Sequence, residues 1–166
     1  ESAKLTARWL ATLDPAHVPS AEDTRLQRDL AAQACEDFRR ALQALAEHGE
    51  IDTVRIGFAG LGLGALLGAA FCARDARVAA VGLAGLPQVA GEALGLLSHL
   101  EKLAPRPVLL VGWRPHAGAA PERLDAWRRA AGLGCRLRWI DEDPQGAPQR
   151  ACEALGPFLA EALALP

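Results

Sequence analysis

A glycine-rich turn is the first feature of the sequence that could carry chemistry. In TVRIGFAGLGLGALLGAAFCARDARVAAVGLAG, residues 53–85, an apolar segment typical of a buried strand leads into closely spaced glycines and then into an apolar helix-forming segment. A turn of this kind can hold a phosphate at the helix N-terminus, or it can present a nucleophilic side chain at a sharp strand-to-helix bend. Each chemistry requires further residues elsewhere in the chain.

The phosphate-binding interpretation rests on Gly60, Gly62 and Ala65, which fit the pattern G-x-G-x-x-A of dinucleotide-binding turns. That fold also uses an acidic residue at the end of its second strand, where it binds the ribose. Here the second strand runs through VGLAGLP, residues 81–87, which contains no Asp, Glu or Arg. A Rossmann-like nucleotide-binding domain is therefore an alternative that the sequence supports only in part.

The hydroxyl and thiol groups of the chain are poorly placed for nucleophilic catalysis. The serines Ser2, Ser20 and Ser98 do not lie on a predicted strand-to-helix turn, and Ser98 and His99 do not face each other because they are neighbours on a predicted helix. The four cysteines form no C-x-x-C pair, so we expect buried free thiols in a reducing compartment. The sequence thus predicts no catalytic residue and no metal site.

The same glycine-rich segment resembles the nucleophile elbow of the α/β-hydrolase superfamily, nearest to its dienelactone-hydrolase-like and serine-esterase-like members. The family pattern G-x-S-x-G corresponds to Gly60-Leu61-Gly62-Leu63-Gly64, and the "D-x-R-V" start of its next strand corresponds to Asp75-Ala76-Arg77-Val78. Downstream, RPVLLVGWRPH resembles the strand and loop that deliver the triad acid, and CRLRWIDEDPQGAPQ resembles the last strand and the histidine loop. The resemblance covers about residues 20–165.

The resemblance implies that all three positions of the catalytic triad are vacant. Gly62 stands at the nucleophile position, the acid position falls near Pro115 or His116, and no histidine follows His116. Loss of the nucleophile would favour glycine, because glycine relieves the backbone strain of such a turn. We therefore interpret Gly60, Gly62 and Gly64 as a vestigial elbow. We predict that Gly62 forms a tight turn with positive φ between a parallel strand and a helix.

The function that follows is a catalytically degenerate α/β-hydrolase-like domain with a binding or assembly role. The alternative within the family is an active hydrolase or esterase relative with unconventional residues, in which His116 is the best candidate for the base. A pocket for a small-molecule ligand is expected near the elbow, lined by Leu61, Leu63, Trp113 and His116. The sequence predicts no cofactor.

Length and composition indicate a globular protein. The 166 residues are 51% hydrophobic and 23% charged, so we expect one domain: an N-terminal helix and loop over residues 1–19 and a hydrolase-like core over residues 20–166. A net charge of -2 gives no reason to expect nucleic acid or an anionic membrane as a partner. Charged residues interrupt the longest apolar run, so no membrane span is expected, and a cytoplasmic location is predicted.

Hydrophobic periodicity predicts alternating helices and strands, and hence an α/β fold in which a short, mostly parallel sheet of about four strands forms the middle of a three-layer sandwich. The predicted strands span residues 53–59, 78–84, 107–112 and 135–140, in the order 1-2-3-4 and all parallel. The three connecting helices are expected on one face of the sheet, and the C-terminal helix and an N-terminal helix on the other. The predicted helices span residues 3–13, 21–48, 63–74, 88–103, 121–131 and 148–164, the last broken at Gly156-Pro157.

The first predicted strand would form an edge of this sheet. Unprotected edges invite pairing with another chain, and the segment TVRIGFA carries only Arg55 as a charged residue. Either the N-terminal helices fold over this edge or a second chain completes the sheet. We favour association, as a homodimer or with a missing N-terminal portion or partner chain.

Overall fold

The structure, a computed structural model, describes residues 20–49, 51–87, 92, 94–114, 121–141 and 146–164. The elements are numbered in chain order: α1 (Ala21–Glu47), β1 (Ile56–Leu61), α2 (Leu63–Cys72), β2 (Val78–Ala84), α3 (Leu96–Glu101), β3 (Val108–Arg114), α4 (Pro121–Ala130), β4 (Cys135–Asp141) and α5 (Ala147–Leu163). The helix predicted over residues 3–13 lies outside the described residues. None of the described helices is both long and apolar enough to cross a membrane.

The sheet has four parallel strands in the order β1-β2-β3-β4, as predicted. Leu83 of β2 pairs with Leu110 of β3, while Leu109 and Val111 point to the other face. Both faces are apolar because both are covered by helices, which is the usual environment of a parallel sheet. The three-layer α/β architecture is thereby confirmed.

The helices are distributed unevenly over the two faces. The larger hydrophobic cluster joins the sheet to α1, α2, α3 and α4, so the three helices that connect the strands share one face as predicted. The second cluster joins the sheet to α5, which is the described helix on that face. An N-terminal helix was also expected on this second face, but α1 does not lie there. Phe38 of α1 packs against Phe58 and Phe71 in the larger cluster.

The predicted start of β1 and the predicted break within α5 are both wrong. β1 begins at Ile56 rather than at residue 53, because the carboxylate of Asp52 accepts a hydrogen bond from the Val54 amide (3.0 Å) and folds the preceding residues into a turn. α5 continues through Gly156-Pro157 instead of breaking there. Gly156 has no Cβ to clash with the proline ring, and burial of Leu155 and Phe158 stabilises the continuous helix.

Smaller differences affect the other elements. Within the region predicted as a helix over residues 88–103, α3 spans only Leu96–Glu101. It begins after Gly95, which has a left-handed backbone (φ 68°). β2 coincides with its prediction, and β3 and β4 each extend slightly beyond theirs. The predicted start of α1 is confirmed by a capping box, in which the Asp23 amide donates to Ser20 Oγ (3.1 Å) and the Ser20 amide donates to Asp23 Oδ2 (3.0 Å).

The segment Asp75-Ala76-Arg77-Val78, part of the family resemblance, is held by hydrogen bonds that fix the turn between α2 and β2. The Asp75 carboxylate accepts hydrogen bonds from the amide (3.1 Å) and Nε (2.9 Å) of Arg77, and this pairing lowers the pKa of Asp75. Arg106 Nη1 donates to the carbonyls of Asp75 (3.2 Å) and Val78 (3.1 Å). These bonds hold the turn between α2 and β2 against the turn that precedes β3.

Two glycines allow α2 to lie unusually close to β1. A Cβ added at Gly60 would lie 2.7 Å from the Cα of Ala65, and a Cβ added at Gly68 would lie 2.0 Å from the ring of Phe58. Distances this short are not compatible with van der Waals packing. Glycine at both positions is therefore required by the contact between the helix and the strand.

We expect Gly68→Ala to lower the free energy of unfolding by about 1–3 kcal/mol, because the added methyl group overpacks the Phe58 contact. Gly64→Ala, in the same helix, is the matched control: a Cβ at Gly64 meets no atom within 4 Å. It should leave the stability unchanged or raise it by up to about 1 kcal/mol through helix propensity. Urea denaturation followed by circular dichroism measures both, and equal effects of the two substitutions would contradict the packing argument.

Candidate functional site

Gly62 alone connects β1 to α2, since the strand ends at Leu61 and the helix begins at Leu63. Its backbone has φ 54° and ψ -116°, a conformation that L side chains rarely adopt. The Gly62 amide donates to the Ala84 carbonyl (2.8 Å), and the Gly62 carbonyl accepts from the Leu66 amide (3.2 Å). The predicted tight turn with positive φ at Gly62 is confirmed.

The three glycines of the turn differ in what they do. Gly60 is required by close packing, whereas a Cβ at Gly62 or at Gly64 would meet no atom within 4 Å. Of these two open positions, Gly62 has positive φ and Gly64 lies within the helix. A side chain at position 62 would therefore project into open space on a strained backbone, which is the geometry that a nucleophile elbow requires; glycine supplies no reactive group there.

The residues predicted to line a pocket near the elbow are only partly brought together. Leu61 is exposed beside Gly62, and Leu63 packs against the larger hydrophobic cluster. Trp113 packs against the cluster on the opposite face of the sheet, where its ring leaves no room for a side chain at Gly85. His116 lies outside the described residues. A shared pocket for these four residues stays a prediction.

The carboxyl ends of β3 and β4 carry an ion pair that sequence reasoning missed. Arg114 Nε lies 2.9 Å from Asp141 Oδ1, and the Arg114 guanidinium lies over the ring of Trp139, 5.3 Å from its centroid. In the parallel register Arg114 pairs with Asp141, so the signal was available once the two strands were aligned. Because the pair is exposed, it stabilises the fold little. Asp141 is the one carboxylate among the described residues at these strand ends, and Arg114 pairs with it.

The described residues at the carboxyl ends of β3 and β4 include no histidine. The histidines that the structure describes, His48 and His99, belong to the helical layer at the end of α1 and in α3. Residues 115–120 and 142–145, which follow β3 and β4, lie outside the described residues. In the sequence no histidine follows His116.

Burial makes most of the thiols of the chain unreactive. Desolvation raises the pKa of Cys72 to about 12 and that of Cys135 to about 11, and it also raises the pKa of Cys35. Thiols of this kind stay protonated at neutral pH and are weak nucleophiles. Cys152 is exposed on α5, which corrects the prediction that all four are buried. Within the described ranges, no three or more of the residue types His, Cys, Asp and Glu are grouped so that they could hold a metal ion.

Comparison with known proteins gives structural matches only. No protein-family model matches the chain, and no curated protein matches its sequence. Among solved structures, a zinc-bound cold-adapted esterase from an Arctic intertidal metagenomic library matches with a TM-score of 0.69 and 19% identity, over 89% of this chain and 66% of the esterase. The chain shares the fold of that esterase.

A puromycin hydrolase also matches, with a TM-score of 0.57 and 14% identity, over 77% of this chain and 25% of the hydrolase. At such identities the likeness shows the fold and leaves the chemistry open. The two neighbours support the α/β fold of the chain. The chain spans slightly less than two thirds of the esterase and a quarter of the hydrolase.

The backbone of Gly62 gives a prediction about stability. Gly62→Ala should lower the free energy of unfolding by about 1–3 kcal/mol, although the new methyl group touches nothing, because the cost lies in the backbone conformation alone. Gly64→Ala is again the control, since it adds the same methyl group to open space at a helical position. Thermal or urea unfolding of the two variants measures the difference, and a Gly62→Ala protein as stable as the parent would exclude a strained turn.

Proposed function

We propose that the chain is a catalytically inactive α/β-hydrolase-like domain that acts through binding or assembly. The observation that carries this proposal is Gly62: it holds the backbone geometry of a nucleophile position, a side chain there would have free space, and the residue has none. A protein that retains this turn without a hydroxyl or thiol cannot form a covalent acyl intermediate at the elbow.

The strand ends beside the elbow support the same conclusion. A triad needs a carboxylate that orients a histidine, and the histidine must lie within hydrogen-bond distance of the nucleophile. Asp141 is instead paired with Arg114, and the sequence after β4 contains no histidine. Among the described residues, the ends of β3 and β4 therefore offer neither a histidine nor a carboxylate without an arginine partner.

Experiments can distinguish this proposal from two alternative functions. An active hydrolase would depend on His116, which follows β3 outside the described residues. A nucleotide-binding domain would place a pyrophosphate on the elbow. The end of β2 weighs against a bound ribose, since Ala84 and Gly85 offer no acidic side chain and the Trp113 ring lies against Gly85.

Hydrolysis of p-nitrophenyl acetate tests the absence of catalysis. We expect no turnover above the buffer rate for the parent protein. Gly62→Ser restores a hydroxyl at the elbow but supplies no base, so it should also show none, and Gly64→Ser controls for the effect of a surface hydroxyl.

Three results would contradict the proposal. Turnover by the parent that is lost in His116→Gln would identify the active alternative. Activity in Gly62→Ser but not in Gly64→Ser would show that a base is present after all. Thermal stabilisation of the parent by NAD or NADP would favour the nucleotide-binding alternative.

The assembly part of the proposal concerns the β1 edge. β1 and β4 are the two edge strands of the sheet. β4 carries Arg136, Arg138 and Asp141, whereas β1 (Ile56–Leu61) contains no charged residue. Arg55, which the sequence placed within the strand, precedes it and pairs with Asp52. β1 therefore lacks the charges that usually protect an edge from pairing.

We infer that a second copy of the chain pairs with β1. A two-fold axis would bring the same uncharged strand of each copy together, and Leu61, 37% exposed at the end of β1, would become buried. A strand supplied by a missing N-terminal portion or by a different chain would satisfy the same backbone groups, and in both of these cases the parent would be a monomer.

Light scattering coupled to size exclusion at micromolar concentration measures this association. The parent should be a dimer, and Ala59→Lys, which places a charge on the exposed part of β1, should be a monomer. Leu133→Lys makes the same change of charge at a fully exposed residue before β4 and should leave the dimer intact. A monomeric parent, or a dimer that survives Ala59→Lys, would overturn pairing of two copies through β1.

A further inference from the structure

A cavity of about 270 Å³ lies in the helical layer, between α1, the C-terminal end of α2, and α3. Its polar lining consists of Arg28 from α1, Arg74 from the end of α2, and His99 from α3. Alanines of α1 and α2 form much of the apolar wall. We call it the arginine cleft. Since α2 has ten residues, the cleft lies about 15 Å along that helix from the elbow.

The arginine cleft has an unbalanced positive charge. Its lining contains no Asp or Glu. The acidic residues of the adjoining cavity, Glu36 and Asp75, already have partners: Glu36 accepts from Arg39 (2.7 Å) and Arg40 (3.1 Å), and Asp75 accepts from Arg77. The charges of these carboxylates are therefore already balanced by arginines that do not line the cleft.

The two arginines of the cleft lack such partners. Across the described residues, neither the Arg28 nor the Arg74 side chain takes part in an ion pair or a hydrogen bond, and both side chains are exposed. For Arg28 the reason is visible in the sequence, because the residues three and four positions away on its helix are Thr24, Arg25, Ala31 and Ala32. Two guanidinium groups thus remain able to bind an external anion.

His99 provides an independent sign that the cleft could hold a ligand. Its Nδ1 atom is buried and has no hydrogen-bond partner in the part of the chain that the structure describes. Burial lowers the pKa of His99, and the positive charges of Arg74 and Lys102 lower it further, so the ring is neutral at pH 7. A buried polar atom without a partner is costly, and a ligand in the cleft could supply that partner.

We propose that the arginine cleft binds a small organic anion that carries one carboxylate or phosphate group. Arg28 and Arg74 contact the anionic oxygens, because the planar guanidinium group matches the geometry of both groups. The alanine-rich wall accommodates the apolar part of the molecule. The volume is below the range of about 300–1,000 Å³ typical of sites for drug-sized ligands, so the ligand is of fragment size.

Benzoate and phenyl phosphate are suitable probes, because they share an aromatic ring and differ in the anionic group. Isothermal titration calorimetry should show saturable binding of at least one of them to the parent protein, and the tighter probe identifies the preferred group. Arg28→Gln and Arg74→Gln should each weaken that binding at least about tenfold, through loss of a charge-assisted hydrogen bond.

Arg25→Gln is the matched control. It removes the same charge from another exposed position of the same helix, but Arg25 lies near Asp29 and does not line the cleft. It should change the affinity by less than about twofold. Arg74→Lys keeps the charge and loses the two-pronged donor, so it should bind with intermediate affinity, and it replaces Arg74→Gln if that variant does not fold.

The NMR resonance of the His99 ring, assigned with His99→Gln, should shift on titration of the parent, because the imidazole lines the cleft. Absence of binding by both probes at about 10 mM would overturn the proposal. Equal weakening by Arg25→Gln would also overturn it, because the attraction would then be a general effect of charge. The rate of ester hydrolysis plays no part in these measurements, so the outcome is independent of whether the elbow is inactive.

Discussion

The close contact between α2 and β1 is the constraint on which the rest of the structure depends. The Phe58 ring occupies the space that a side chain at position 68 would need, and Gly60 lets the first turn of the helix lie against the end of the strand. With these two contacts the helix can follow the strand through one connecting residue. The strained backbone of Gly62 is the geometrical result of that short connection.

The same contact determines where α1 lies. Phe71, on α2, and Phe58, on β1, together form the surface that receives Phe38, with ring centroids 5.5 and 5.7 Å from that of Phe38. α1 is thereby fixed across α2, and its small residues Ala31 and Ala32 leave a gap beside Ala70. The arginine cleft is this gap. The turn and the cleft, at opposite ends of α2, are thus two consequences of one packing arrangement.

Much of the fold could be predicted from the sequence because its signals are local. The apolar strands, the regular alternation with helices and the capping box at Ser20 each depend on a few neighbouring residues, and parallel pairing follows from the alternation. The turn at Gly62 was also predictable, since the glycine pattern and the sharp strand-to-helix transition occur within one short segment.

What the sequence could not predict depends on residues that are far apart in the chain. The Arg114–Asp141 pair requires the register of β3 against β4, and the arginine cleft requires the placement of α1 against α2 and α3. The continuity of α5 was missed for a related reason. Local rules predict a break at Pro157, whereas burial of Leu155 and Phe158 against distant strands outweighs them.

The position of α5 also has a consequence for the protein during its synthesis. α5 packs against all four strands and provides the described cover of the second sheet face, yet it is made after every one of them. Until this helix has left the ribosome, Leu109, Val111 and Ile140 lack the layer that packs on them among the described residues, so a nascent sheet would expose this apolar surface. Packing of this face can therefore be completed only after translation has passed Leu163, and a stalled ribosome would present chaperones with an apolar sheet face that α5 does not yet cover.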